Sequence, residues 1–163
     1  YIGDTEVLHY LEVLRDEVGF AELSKKVVKP LTGRKIGAYY GCMLLRPSKV
    51  LAFDDPENPQ LLENFLQALG ATPVRYGMRN ECCTGYMAVT NPGLCKQMVG
   101  EILRSARDEE AQALITACPL CRYNLVANAA PEQKVPVYYF TELLAQALGL
   151  QTETAPVQAG GEG

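Results

Sequence analysis

The chain has 163 residues, of which 48% are hydrophobic and 21% charged, and 15 Lys and Arg against 19 Asp and Glu give a net charge of −4. This composition predicts one soluble globular domain, and the lack of a basic cluster argues against nucleic acid as a partner. No stretch approaches the roughly 20 apolar residues of a membrane-spanning helix, which argues against direct membrane insertion.

The cysteine content points to thiolate chemistry. Six cysteines in a chain of this length, without a secretion signal, favour a reducing compartment. We therefore expect a cytoplasmic location. Three structural disulfides are the alternative interpretation, which the compartment rules disfavour.

Residues 1–30 are predicted to form a helical segment ahead of the main fold. Apolar residues recur at helical spacing over 4–18, with Asp4 as the N-cap and Gly19 as the stop. A second short helix is predicted over 20–28 and is closed by Pro30. His9, the only histidine, falls opposite the apolar stripe and is predicted to be exposed.

Strand and helix patterns alternate after this segment. Strands are predicted over 36–40, 72–76, 113–117 and 135–140, and helices over 58–70, 91–107, from 119 onward and over 141–148. This order predicts an α/β fold, an open and mainly parallel sheet of about four strands with flanking helices. We expect this domain to occupy residues 1–149 and residues 150–163 to form a disordered tail.

Five cysteines follow the predicted strands. Cys42, Cys82, Cys83 and Cys118 each come after a strand, and Cys121 lies three positions further on, in the first turn of a helix. Because parallel strands deliver their following loops to one edge of the sheet, these cysteines are expected to converge there. The helix start favours negative charge, so Cys118 and Cys121 are expected to ionise readily. Several thiolates together call for a cation.

The number and order of the cysteines favour iron over zinc. Adjacent side chains of an extended segment point to opposite sides, so Cys82 and Cys83 do not easily grip one tetrahedral ion. Five thiolates also exceed the four ligands of a structural zinc site, whereas an iron–sulfur cluster has several irons. Zinc bound by four of the five remains an alternative, in which the domain is a zinc-stabilised structural or docking module of a redox complex.

Two further interpretations concern the pair Cys118 and Cys121 and the single cysteine Cys95. Cys118 and Cys121 alone resemble a dithiol for thiol–disulfide exchange, but this leaves the other three unexplained. Cys95 is predicted to pack in the core, because it lies on the apolar face of its helix.

The cysteine order resembles the cysteine-rich CCG domain found in the B-type subunit of heterodisulfide reductase. The spacing from Cys42 over 39 residues to Cys82-Cys83, then over 34 residues to Cys118-x-x-Cys121, carries the resemblance. The segments 3–11, 40–42, 117–121 and 137–144 reinforce it, so it covers nearly all of residues 1–149. Related domains occur in cysteine-rich subunits of some succinate, glycolate, lactate and glycerol-3-phosphate oxidoreductases.

The resemblance implies a cofactor, a reaction and partners. The family's subunit carries two such domains, and this chain resembles the C-terminal one, so the isolated domain is expected to be inactive alone. A non-cubane 4Fe-4S cluster, which reduces a disulfide substrate, is implied. A ferredoxin-like iron–sulfur subunit and a flavoprotein subunit are the implied partners. The implied cluster ligands are Cys42, Cys82, Cys83, Cys118 and Cys121.

The sequence departs from the family signature at one position. Where the family has Cys-Cys-Gly, this chain has Cys82-Cys83-Thr84-Gly85. Because a β-branched residue tolerates positive φ poorly, the turn after the cysteine pair is predicted to shift onto Gly85.

Overall fold

The first N-terminal helix begins later than predicted, at Tyr10, whereas the second begins at Phe20 as predicted. The computed structural model describes residues 3–5 and 7–150, and in it α1 (Tyr10–Glu12) runs directly into a wider π-helical segment, Val13–Val18, followed by α2 (Phe20–Lys26). The predicted N-cap at Asp4 is wrong. His9 is the N-cap instead, because its ring accepts a hydrogen bond from the Leu11 amide while the Glu12 carboxylate accepts one from the His9 amide.

Four parallel strands form one sheet, which confirms the predicted α/β fold. The strands are β1 (Lys35–Tyr39), β2 (Thr72–Val74), β3 (Ala113–Thr116) and β4 (Val137–Tyr139), in the order β2-β1-β3-β4. Gly37 in β1 pairs with Val74 on one side and Leu114 on the other. The two central strands, β1 and β3, therefore lead into the loops that contain Cys42 and Cys118.

Five helices connect and follow the strands. Asn91 accepts a hydrogen bond from the Leu94 amide and Pro92 is the first helical residue, so α5 begins where its cap signal predicts. Short 3-10 turns occupy Gly85–Met87 and Pro131–Gln133. The helices are α3 (Ser48–Leu51), α4 (Leu61–Ala68), α5 (Pro92–Asp108), α6 (Pro119–Ala127) and α7 (Phe140–Ala147).

Each face of the sheet is covered by its own apolar core. On one face, Leu62 and Phe65 of α4 pack with Leu143 of α7 and with the N-terminal helices. On the other face, Ile102 of α5 and Leu125 of α6 pack against the sheet. Burial on both faces explains why the strand segments are continuously apolar instead of alternating.

The connection after β1 leads to β2 at one edge of the sheet, and the connection after β3 leads to β4 at the other edge. The chain leaves β1 for α4 on one face and leaves β3 for α6 on the other face. The chain therefore turns toward opposite faces after these adjacent strands, and the crevice between them at the carboxyl edge of the sheet is a topological switch point. Ligand sites of open α/β sheets lie at this switch point.

No helix among residues 3–5 and 7–150 is long and apolar enough to cross a bilayer. The tail predicted over 150–163 lies, from residue 151 onward, outside the residues that the structure describes.

Candidate metal centre

The loop after β1 brings Cys42 to the crevice. Gly41 has φ = +65°, a backbone conformation that side chains disfavour, and a Cβ added there would lie 3.0 Å from the Cys121 sulfur. The glycine therefore allows the β1 loop to approach α6 closely. The Cys42 sulfur lies 3.6 Å from the Cys82 sulfur, 40 positions further along the chain.

The adjacent cysteines Cys82 and Cys83 face different partners. Whereas the Cys82 sulfur contacts Cys42, the Cys83 sulfur is buried and lies 3.5 Å from the Cys121 sulfur. Thr84 itself takes the left-handed conformation, with φ = +56°, so the predicted shift of the turn onto Gly85 is wrong. Its hydroxyl donates to the Cys83 carbonyl at 2.7 Å, a local bond that offsets the strain of a β-branched residue there.

Cys118 and Cys121 lie at the start of α6. Cys118 is the N-cap, its sulfur accepting a hydrogen bond from the Cys121 amide at 3.4 Å, and Pro119 is the first helical residue. The extended backbone of Cys118 and the fixed φ of proline suit this end of a helix. Cys121 is buried, and its sulfur contacts the Cys83 sulfur while its amide donates to the Cys118 sulfur.

The loops after β1, β2 and β3 therefore bring five sulfur atoms to one edge of the sheet, as two contacting pairs with Cys118 beside the second pair. All six cysteines of the chain are free thiols. Within the described ranges, no three His, Cys, Asp or Glu side chains are grouped tightly enough to hold one metal ion. An all-sulfur donor set spread in this way fits a polynuclear iron–sulfur group better than a single tetrahedral ion.

The charge states of the buried pair differ from the prediction. The pKa of Cys83 is lowered to about 6, first because Cys121 hydrogen-bonds to it and further because the Gly85 amide and Asn124 stabilise the thiolate. The pKa of Cys121 is raised, because it holds the shared proton, is buried and faces the sulfur atoms of Cys83 and Cys118. The expectation that Cys121 ionises readily is therefore wrong in the metal-free chain: neighbouring sulfur and burial outweigh the helix start.

A buried amide supports the second pair. The Asn124 side chain is 1% exposed, donates to the Cys83 carbonyl and accepts from the Cys95 thiol at 3.0 Å. Cys95 is fully buried, which confirms its predicted place in the core. Sequence reasoning missed Asn124, although a polar residue three positions after Cys121, on the same face of α6, is a signal of a buried polar contact.

Two tyrosine hydroxyls lie near the cysteines. The Tyr139 hydroxyl donates to the Ala117 carbonyl beside Cys118, and the Tyr86 hydroxyl lies 3.5 Å from the Cys82 sulfur.

His9 is half-buried, not exposed as predicted, because its ring packs edge-on against Phe53 at a centroid distance of 5.2 Å.

The fold and the site together define a class of protein: an open α/β domain whose sheet edge carries a group of five cysteines. The sequence matches the CCG family of cysteine-rich domains over residues 36–126, a range that includes all five cysteines of the crevice. This match covers more than half of the chain, so the chain belongs to that family.

Curated relatives extend the similarity to nearly the whole chain. The 8-methylmenaquinol:fumarate reductase membrane anchor subunit of Wolinella succinogenes is 35% identical over 157 residues, which cover 92% of this chain and 55% of that protein. The B-type subunit of the Ferredoxin/F(420)H(2)-dependent CoB-CoM heterodisulfide reductase of Methanosarcina acetivorans is 28% identical over 97% of this chain and 55% of that protein. A protein of Archaeoglobus profundus that is similar to the same type of heterodisulfide reductase subunit is 28% identical over 94% of this chain and 55% of that protein. The chain spans about half the length of these relatives.

Proposed function

We propose that this chain is an iron–sulfur domain of a heterodisulfide reductase-like oxidoreductase subunit. The observation that carries the proposal is the arrangement of sulfur at the switch point: Cys42 against Cys82, Cys83 against Cys121, and Cys118 beside the second pair. We assign a non-cubane 4Fe-4S cluster to these five cysteines. Their division into pairs supports a cluster with several irons over the zinc-stabilised docking module.

The chain's own residues prepare the site for such a group. Cys83 is readily deprotonated near neutral pH, because its pKa is lowered to about 6, and a thiolate is the form that binds metal. The start of α6 presents amide groups and a positive dipole end to the sulfur atoms, which stabilises their negative charge. Burial of Cys83 and Cys121 keeps water from that part of the site.

The bound cluster would supply one-electron transfer. Reduction of a disulfide substrate to two thiols takes up two electrons and two protons, and we propose that the whole protein delivers them to a disulfide near Cys118. A cavity of about 260 Å³ lies along α6, the helix that Cys118 caps, and is lined by Pro119, Arg122, Tyr123, Val126 and Tyr139. Its largely apolar lining suits a small organic substrate, and its one cationic side chain, Arg122, pairs with Glu142 at 3.0 Å.

The context of the domain is part of the proposal. Because the chain spans about half the length of its relatives, we propose that residues 1–149 form one domain of a larger subunit and are inactive alone. The relatives are named as subunits, so we propose a ferredoxin-like iron–sulfur subunit and a flavoprotein subunit as partners. Six free thiols fit the reducing cytoplasm.

Anaerobic reconstitution with iron and sulfide tests the proposal. The wild type is expected to bind about four irons and four sulfides per chain and to give a paramagnetic signal on oxidation or reduction. Serine at any of the five positions is expected to lower the iron content and change the signal, whereas Cys95→Ala, the matched control, is expected to keep both. Normal assembly in all five serine variants, or one zinc per chain with no visible absorption in protein purified without oxygen, would refute it.

A further inference from the structure

A fully buried carboxylate lies behind the first sulfur pair. Glu63 of α4 is 0% exposed, and it is the one charged residue in the core of the described part of the chain. Its Oε2 accepts a hydrogen bond from the Tyr40 hydroxyl, whose oxygen in turn accepts from the Leu62 amide at 2.8 Å. Its Oε1 lies 3.3 Å from the Arg79 Nε, a charge contact in which the Nε–H is not aligned for a hydrogen bond.

Both partners of Glu63 belong to the loops that carry the first sulfur pair. Tyr40 lies two positions before Cys42, and Arg79 lies three positions before Cys82. The Tyr40 amide also donates to the Arg79 carbonyl at 2.8 Å, so the two loops are joined through the backbone as well. One side chain of α4 thus fixes the approach of two loops whose cysteines are 40 positions apart in the chain.

The energetic cost of this carboxylate indicates a role beyond packing. Burial disfavours the charged form and raises the pKa of Glu63, while the Tyr40 hydroxyl and the Arg79 charge act in the opposite direction. An apolar residue in a core helix avoids this cost, and replacing a buried ion pair by well-packed apolar residues is often neutral or stabilising. The carboxylate therefore contributes geometry at the two loops instead of stability.

The second sulfur pair has a separate support. Cys83 and Cys121 are held by the Asn124 amide and by the first turn of α6, on the opposite face of the sheet from α4. Among the described residues, neither Asn124 nor α6 contacts Glu63 through a hydrogen bond or an ion pair. A change at Glu63 is therefore expected to reach one pair and not the other.

We propose that Glu63 is a positioning residue that holds the sulfur atoms of Cys42 and Cys82 together through Tyr40 and Arg79, while the pair of Cys83 and Cys121 is positioned independently. The effect of Glu63 on a bound cluster rests on the proposed function, whereas the sulfur positions are those of the metal-free chain. The test is therefore carried out without metal.

The rate of disulfide formation reports the distance within each pair. Reduced, metal-free protein is treated with diamide, which accepts two electrons and two thiol protons for each disulfide formed, and the products are mapped by mass spectrometry of peptides. In Glu63→Leu, the disulfide between Cys42 and Cys82 is expected to form roughly tenfold more slowly than in wild type, because close approach of the reacting atoms is lost. The disulfide between Cys83 and Cys121 is expected to form at the wild-type rate.

Three further variants complete the experiment. Glu63→Gln keeps an acceptor for the Tyr40 hydroxyl and is expected to restore most of the rate. Tyr40→Phe removes the hydroxyl, with its bond to Glu63 and the bond that it accepts from the Leu62 amide, and keeps the buried ring. It is expected to slow the first pair even if Glu63→Leu does not fold. Glu110→Gln is the matched control, because Glu110 is exposed and pairs with Lys35 at the opposite edge of the sheet.

The outcomes separate this proposal from the proposed function. Wild-type rates for the first pair in Tyr40→Phe and in folded Glu63→Leu would overturn it, and so would equal slowing of both pairs. Selective slowing of the first pair supports the positioning role even if reconstitution shows no iron–sulfur cluster. If a cluster does assemble, Glu63→Leu is also expected to change its paramagnetic signal, and Glu110→Gln is not.

Discussion

Truncation of Asn124 tests whether α6 sets the position of the second sulfur pair. The side chain is 1% exposed, and its amide hydrogen bond to the Cys83 carbonyl joins α6 to the cysteine loop after β2. In Asn124→Ala this carbonyl loses the amide donor, and the Cys95 thiol loses its acceptor. The Cys83 carbonyl keeps the Thr84 hydroxyl as a donor. The loss is therefore that of two buried hydrogen bonds of about 0.5–1.5 kcal/mol each, and the free energy of unfolding is expected to fall by about 1–3 kcal/mol.

The neighbouring Asn128 provides a matched control. Its side chain is half-buried and donates to the Asn124 oxygen at 2.6 Å, so Asn128→Ala removes one hydrogen bond and leaves the Asn124 amide on the Cys83 carbonyl. Its expected cost is about 0.5–1.5 kcal/mol. Urea unfolding of both variants, in reduced metal-free protein, gives the two values.

Loss of the Asn124 contact is also expected to weaken iron binding. Iron retention after anaerobic reconstitution is expected to fall in Asn124→Ala and to stay near the wild-type value in Asn128→Ala. If Asn124→Ala unfolds within about 0.5 kcal/mol of wild type, the typical effect of a surface substitution, the amide does not support the cysteine loop and the argument fails.

Substitutions at three other positions test the turns and the N-terminal cap. Burial lowers the pKa of His9 below 6.5, so the wild type is expected to lose stability as pH falls from 6.5 through the folded pKa, because the unfolded chain binds the proton first. His9→Asn keeps a capping side chain and should lack that loss in urea titrations at several pH values; an unchanged pH dependence would contradict this. Gly41→Ala places a Cβ 3.0 Å from the Cys121 sulfur at positive φ, and thermal unfolding should show a loss of about 1–2 kcal/mol or more. Thr84→Val keeps the strained conformation and removes the bond to the Cys83 carbonyl, so it should destabilise the chain by about 1 kcal/mol, whereas Thr84→Gly relieves the strain and should change stability less. Equal effects of these two changes, measured by urea unfolding, would show that strain at Thr84 is negligible.

Local signals in the sequence determine most elements of this fold. The cap at Asn91-Pro92 and the proline after Cys118 act through contacts within a few residues, so the starts of α5 and α6 are predictable. Alternation of apolar strands with helices likewise predicts a parallel sheet and places cysteine loops at its carboxyl edge. Prediction from local cap signals fails at Asp4. The cap that forms instead, between His9 and Glu12, is also local, but histidine is not among the residues that commonly cap helices.

The tertiary structure decides which atoms meet at that edge. The contact of Cys83 with Cys121 spans 38 positions, and that of Cys42 with Cys82 spans 40. These pairings depend on the strand order β2-β1-β3-β4 and on which face of the sheet α4 and α6 each cover. The burial of Glu63 and Asn124 depends on the same long-range packing, since a short window of sequence contains helical periodicity and caps but not the partners that a side chain meets across the sheet.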